Sequence, residues 1–187
     1  DRFVLSKGHA APILYGVLAA EGYFSDKEFE NFRQLGSILQ GHPDRNKTPG
    51  VDCTTGSLGQ GMPVACGMAL AARDSSEPYR IYALISDGEC NEGSIWEAAM
   101  IAGNLSIDRL TVLLDWNQKS SYGDMSGRND ISPLRDKWNS FGWHVEECNG
   151  HDFIALSQAL AKSEKVQGKP SAILCKTIKN RGIPYGE

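Results

Sequence analysis

Residues 81–89 read IYALISDGE and residues 110–119 read LTVLLDWNQK. Each begins with a nearly continuous apolar run of six residues and then turns polar. Runs of that length suit strands buried on both faces, as in parallel sheets. Outward from them the pattern repeats, with strand-like stretches at 143–148 (WHVEEC) and 171–176 (SAILCK). Helical stretches fall between, at 93–103, 134–141 and 152–162. This βαβαβαβ alternation predicts an α/β fold: a doubly wound, mostly parallel sheet with helices on both faces.

Before Pro78 the chain has a different character. Small and apolar residues make helical stretches at 11–21 and 59–72. Ser25 and Glu28 have the spacing of a capping box opening a short helix towards Arg33. Residues 39–56, with Gly41, Pro43, Pro49, Gly50 and Gly56, should be irregular.

The 187 residues suit one domain, and 41% hydrophobic with 22% charged residues is a soluble globular balance. A net charge of −4 argues against a dedicated nucleic-acid binder. The five cysteines are odd in number and form no C-x-x-C, so reduced structural thiols and a cytoplasmic setting are expected. No apolar run approaches a membrane span and no signal peptide opens the chain. The first residue is Asp1, in mid-pattern, so a cut N-terminus is expected.

In open α/β sheets ligands bind beyond the carboxyl ends of the strands. Asp87 and Asn117 emerge there, 30 positions apart, the span of one βαβ crossover. Alone, Asp-Gly is an ordinary turn and Asn117 a loop or capping residue. At the ends of consecutive buried strands they become two oxygen ligands side by side. A hard cation such as Mg²⁺ takes such ligands and fills its shell with phosphates and water. Gly88 lets the backbone approach a phosphate, and a helix from about Gly93 offers N–H groups to the same crevice. The composite expectation is a metal-bridged diphosphate. There is no G-x-x-x-x-G-K-[ST], so a P-loop is not the explanation.

The run from Ser86-Asp87-Gly88-Glu89 to Asp115-Trp116-Asn117 resembles the thiamin diphosphate motif, a G-D-G followed about thirty residues later by Asn. Ser6-Lys7-Gly8-His9-Ala10, Gly41-His42-Pro43, Thr54 to Gly61 (TTGSLGQG) and Glu92 to Ala98 (EGSIWEA) are similar to the transketolases. The resemblance runs in order from about Phe3 to Gly182. It implies thiamin diphosphate and Mg²⁺ (or Ca²⁺ or Mn²⁺) as cofactors, with Asp87, Asn117 and the Lys119 carbonyl as metal ligands. Gly88 and Glu89 would belong to the diphosphate loop, and Gly56, Ser57 and Leu58 would line the cofactor rings. His9 and His42 match histidines facing the reactive carbon and substrate hydroxyls, where groups that titrate near neutrality are useful. Glu92 matches a glutamate at a subunit interface.

The implied reaction transfers a two-carbon ketol unit from a ketose to an aldose, both often phosphates, with the cofactor as electron sink. Residues 1–187 would be a single diphosphate-type domain truncated at both ends. The pyrimidine-binding domain would come from a C-terminal subunit or the rest of a longer chain, in a homo- or hetero-oligomer. A deoxyxylulose-phosphate synthase or a 2-oxo acid dehydrogenase component would keep the metal motif, but pairing Lys7-Gly8-His9 with Gly41-His42-Pro43 suits sugar transfer. A non-catalytic Mg²⁺-diphosphate module would have no use for the two histidines. Ser86, in place of the family's first glycine, should tighten the approach to the cofactor. His144 and His151 read as structural, Trp96 and Met100 as core, and Lys176, Lys179 and Arg181 as a solvated loop near the site. Cys90 reads as an oxidation liability beside the metal loop.

Overall fold

The computed structural model describes residues 1–120, 123–127 and 129–183. Five parallel strands form one sheet: β1 (Arg2–Leu5), β2 (Ile81–Ser86), β3 (Leu110–Trp116), and, beyond a two-residue ribbon of β4 (Lys119–Ser120) and β5 (Gly123–Asp124), β6 (His144–Asn149) and β7 (Ser171–Lys176). The order across the sheet is β1-β2-β3-β7-β6. The expected α/β architecture is therefore present, with β2 and β3 as direct neighbours in register from Ile81–Leu110 to Ser86–Asp115.

One face of the sheet carries Ile81, Ala83, Ile85, Leu110, Val112, Leu114, Ala172 and Leu174, all buried. Helices α2 (Gly61–Arg73), α3 (Gly93–Asn104) and α4 (Leu134–Ser140) cover that face. Their contact residues are small: Ala65 and Ala69 from α2, Ala98, Ala99 and Ala102 from α3. Small residues let helices approach the sheet and each other closely, and Gly103 shows how closely. A Cβ there would collide with the Phe141 carbonyl oxygen. The other face carries Ile173 and Cys175 beneath α5 (Phe153–Ser163), whose first turn is capped by Asp152 accepting from the N–H groups of Ile154 (2.9 Å) and Ala155 (3.1 Å). Helix α1 (Ala11–Ala20) builds a separate small cluster in which Tyr15 and Leu39 are fully buried.

Several local expectations change. Strand β1 is not legible in the opening residues, which have only Val4 and Leu5 buried. Ser25 accepts from the Lys27 N–H at 3.4 Å, and residues Asp26–Asn31 wind as a 3₁₀ turn, so no reciprocal capping box forms. Met100 lies on the outer face of α3, whereas Trp96 packs against Trp138 with ring centroids 5.6 Å apart.

Candidate active site

The carboxyl ends of β1, β2, β3 and β7 meet at one edge, and three acidic side chains there have three different fates. Asp115, at the end of β3, is paired with the Lys7 ammonium and accepts from the Thr177 hydroxyl and from Asn117 Nδ2 (3.3 Å). Burial alone would raise its pKa, but these partners, Lys7 foremost, hold it below the ordinary carboxylate range. Glu89 is fully buried. Its Oε1 accepts from Ser6 Oγ (2.6 Å) and the Gly59 N–H (2.7 Å), and its Oε2 from the Ser86 N–H (3.3 Å). It therefore sits beneath the loop and clamps three segments together rather than lying on the site's surface.

Asp87 is the third, and it also is buried. Its oxygens accept from the N–H groups of Gly88 (2.7 Å) and Gln118, but no Lys or Arg among the described residues pairs with it. Burial raises its pKa, and the neighbouring Asp115 charge adds to that rise. A negative group so held has charge that a cation can compensate. The oxygens around it are of the right kind. Asn117 Oδ1 sits in the turn that receives the Lys119 N–H at 2.9 Å, and a Cβ on Gly88 would stand 3.9 Å from the Lys119 carbonyl oxygen. Among the described residues no group of three or more His, Cys, Asp or Glu could hold a metal. One carboxylate, one amide oxygen and one carbonyl suit a hard cation whose remaining ligands come from phosphate and water. A cleft of about 90 Å³ opens beside Asp87, walled by Trp116, Gln118, Met125 and Ile131.

Ser86 does not crowd this approach. Its hydroxyl accepts the Glu89 N–H at 3.2 Å and is turned into the loop. A short 3₁₀ turn, Gly88–Asn91, intervenes before α3, and the first turn of α3 abuts Gly59, with Ser94 Oγ donating to the Gly59 carbonyl at 2.9 Å. The helix terminus expected to face the crevice thus braces the Gly56–Gly59 loop. Glu92 is exposed at that terminus and makes no side-chain cap.

His9 and His42 come from separate loops that close packing joins. Gly8 lies so near Thr55 and Gly56 that a Cβ would sit 2.9 Å from the Gly56 nitrogen. A Cβ on Gly56 would in turn meet the His42 ring at 3.4 Å. Thr55 locks the arrangement, donating from Oγ1 to the Leu5 carbonyl (2.6 Å) and from N–H to the Pro43 carbonyl (3.2 Å). Tyr15 Oη donates to the carbonyls of Gln40 (2.9 Å) and His42 (3.1 Å). Burial, then Lys7, Lys179 and His42, lower the pKa of His9, so its imidazole is neutral near pH 7 and able to accept a proton. Ser57 is exposed and Leu58 half-buried next to Gly56.

Sequence reasoning missed the Lys7–Asp115–Thr177 network and the positive field of Lys179 at His9. Lys7 and Thr177 lie 108 and 62 positions from Asp115. Their only sequence signal is adjacency, Lys7 to His9 and Asp115 to Asn117. Elsewhere, His151 accepts the Ile178 N–H at 2.8 Å and anchors the segment after β7. Cys90 is 1% exposed and burial pushes its thiol well up, which makes it inert rather than an oxidation liability. Lys176 pairs with Glu147 (3.0 Å) and lies over the Trp116 ring, 5.3 Å from its centroid.

Residues 1–187 match the family described as transketolase, thiamine diphosphate binding domain. A 6-deoxy-6-sulfo-D-fructose transketolase subunit of Clostridium sp. is 46% identical over all of this chain and 68% of its own length. An apulose-4-phosphate transketolase subunit of Phocaeicola vulgatus is 37% identical over 66% of its length, and mouse transketolase-like protein 2 is 42% identical over 30% of its length. The chain thus spans about two thirds of the subunit relatives and under a third of the longer ones. The transketolase structure of Campylobacter jejuni superposes on 95% of this chain with a TM-score of 0.89 at 36% identity, over 29% of that chain. With a family match along residues 1–187 and a close superposition on a transketolase structure, the chain belongs to the transketolase thiamine diphosphate binding domain family.

Proposed function

We propose that this chain is the diphosphate- and metal-binding half of a transketolase, completed by a C-terminal subunit or domain that carries the pyrimidine-binding fold. The observation that carries the reading is the juxtaposition at one sheet edge of two loop histidines and a buried carboxylate that no Lys or Arg among the described residues pairs with. Asp87, Asn117 and the Lys119 carbonyl hold Mg²⁺, and Gly88 lies against the diphosphate. Gly56, Ser57 and Leu58 line the cofactor rings, and Glu89 supports the loop from below. When bound, thiamin diphosphate supplies the carbon nucleophile and the electron sink for two-carbon transfer.

The protein's own part is proton handling and orientation. Neutral His9 accepts a proton from a substrate hydroxyl when the donor ketose is cleaved and returns it when the acceptor aldose adds. His42, held by the Thr55 and Tyr15 contacts, orients the substrate hydroxyls. Glu92 faces the subunit interface. The site works in a soluble, cytoplasmic oligomer of this chain with its partner. The sulfo-sugar named for the Clostridium relative is the first donor to test beside ketose phosphates.

Titration calorimetry of thiamin diphosphate into the protein plus partner, with and without Mg²⁺, tests the reading. Metal-dependent binding that is lost in Asp87→Ala is expected. Unchanged affinity in that variant would overturn the assignment of the metal site.

A further inference from the structure

A row of register partners crosses the sheet beside the site and ends in two thiols. Ser86, Asp115, Cys175 and Cys148 are successive partners on β2, β3, β7 and β6. Partners in neighbouring parallel strands project to the same face, and both cysteines pack in the apolar cluster under α5 with Leu156, Ala159 and Leu160. Both are free thiols, and each perturbs the other's ionisation. Adjacent strands lie about 4.7–4.9 Å apart, inside the Cα separation of about 4.4–6.8 Å that a disulfide spans. The Cβ atoms must close from about that spacing to about 3.5–4.5 Å, a movement of about 0.2–1.4 Å. Each cysteine is the next-to-last residue of its strand.

We propose that Cys148 and Cys175 are a redox-active dithiol, which a small-molecule disulfide converts into an intrachain cross-strand disulfide. Cys175 is 5% exposed and Cys148 half-buried, so Cys148 is the sulfur that solvent reaches first. Deprotonated Cys148 Sγ attacks one sulfur of the oxidant, its S–S bond breaks, and one small thiol leaves. Deprotonated Cys175 Sγ then attacks Cys148 Sγ and expels the second small thiol. Two protein S–H bonds are exchanged for one S–S bond, while the oxidant takes up two electrons and two protons. Burial raises both thiols above their ordinary range, so the exchange proceeds through opening of the strand ends rather than through a standing thiolate. The event has a path to the site, because Thr177, two residues beyond Cys175, donates to Asp115, the partner of Lys7.

The test holds the purified protein in oxidised glutathione, quenches it with acid, and labels it under denaturing conditions with N-ethylmaleimide. Near-ultraviolet circular dichroism is recorded before the quench. Expected are a loss of two hydrogen masses, a fall in labelled thiols from five to three, and a Cys148–Cys175 cross-link in the peptide map, all with native dichroism retained. Cys148→Ser should abolish the cross-link, and Cys53→Ser should leave it intact. Five labelled thiols after oxidation, a glutathione adduct on Cys148 that persists, a different linked pair, or a cross-link found only after the native signal is lost would each overturn the proposal. The readout needs neither cofactor nor partner, so its failure is separate from failure of the transketolase reading.

Discussion

Replacing Glu89 with alanine perturbs a buried clamp whose strength can be worked from its contacts. The carboxylate accepts from Ser6 Oγ at 2.6 Å, the Gly59 N–H at 2.7 Å and the Ser86 N–H at 3.3 Å. Its removal strands two main-chain N–H groups where water does not reach, at about 1–3 kcal/mol each, while the Ser6 hydroxyl can rotate to another acceptor. Relief of a buried charge offsets part of the loss, because burial is the largest influence on Glu89 and disfavours its ionised form. The net expectation is a destabilisation of about 3 kcal/mol. For a chain of this size, that lowers the melting temperature by about 6–12 °C. Glu89→Gln keeps an acceptor for Ser6 and Gly59 but sets an amide N–H against the Ser86 N–H, so it should cost about 1–2 kcal/mol. Differential scanning calorimetry on the three proteins, with urea denaturation as a second measure, checks the order wild type, Gln, Ala. A melting temperature for Glu89→Ala within about 2 °C of wild type would refute the clamp.

Gly103→Ala should be among the most damaging small substitutions, since the new methyl would collide with the Phe141 carbonyl oxygen. A loss of about 3 kcal/mol in urea denaturation is expected, at the upper end of ordinary overpacking. Gly8→Ala pushes a methyl against the Gly56 nitrogen at 2.9 Å and should separate the two histidine loops. Steady-state kinetics with the partner present should show a drop in kcat/KM of about tenfold or more, for a thermal shift of only a few degrees. His9 has a lowered pKa, so its proton is lost before the ordinary value of 6.5 as pH rises. The acid limb of the kcat/KM profile should therefore fall below pH 6.5, and Lys179→Gln, which removes a positive neighbour, should move it upward. A limb that stays put in Lys179→Gln would remove Lys179 from the field at His9.

Much of this was legible because it is local or periodic. The runs IYALIS and LTVLLD are buried on one face and half-buried or buried on the other, so they announce themselves without their partners. Asp87 and Asn117 follow those runs directly, and once the strands are neighbours their meeting is a matter of topology. Strand β1 escaped because it is four residues long at the sheet edge, with Arg2 and Phe3 exposed. The Ser25–Glu28 pattern promised a capping box, but the Ser25 oxygen took the Lys27 N–H and a 3₁₀ turn followed. Met100 has core spacing on α3 yet faces outward, since periodicity shows which residues share a stripe and not what lies opposite it.

The part that sequence could not give is the division of work among the acidic residues, because that depends on distant neighbours. Asp115, Glu89 and Asp87 share a residue class and a sheet edge. Lys7 arrives from a loop 108 positions away and fixes Asp115 as an anion that orients Asn117. Ser6, next to Lys7, and Gly59, from another loop, consume Glu89. Among the described residues Asp87 receives main-chain N–H groups and no cation, and the Asp115 anion beside it adds repulsion. The Lys7 ammonium is bound to Asp115, and Asn117 Nδ2 donates to the same carboxylate. Asp115→Asn should accordingly loosen the anchor that holds Asn117 and Lys7 and weaken Mg²⁺-dependent binding of thiamin diphosphate, even though Asp115 is not one of the proposed ligands. Calorimetry on that variant with the partner present should show a loss of about 10–100-fold, the usual effect of disturbing the groups that orient metal ligands. Wild-type affinity in Asp115→Asn would mean that Asp87 and Asn117 are set by their own loops alone.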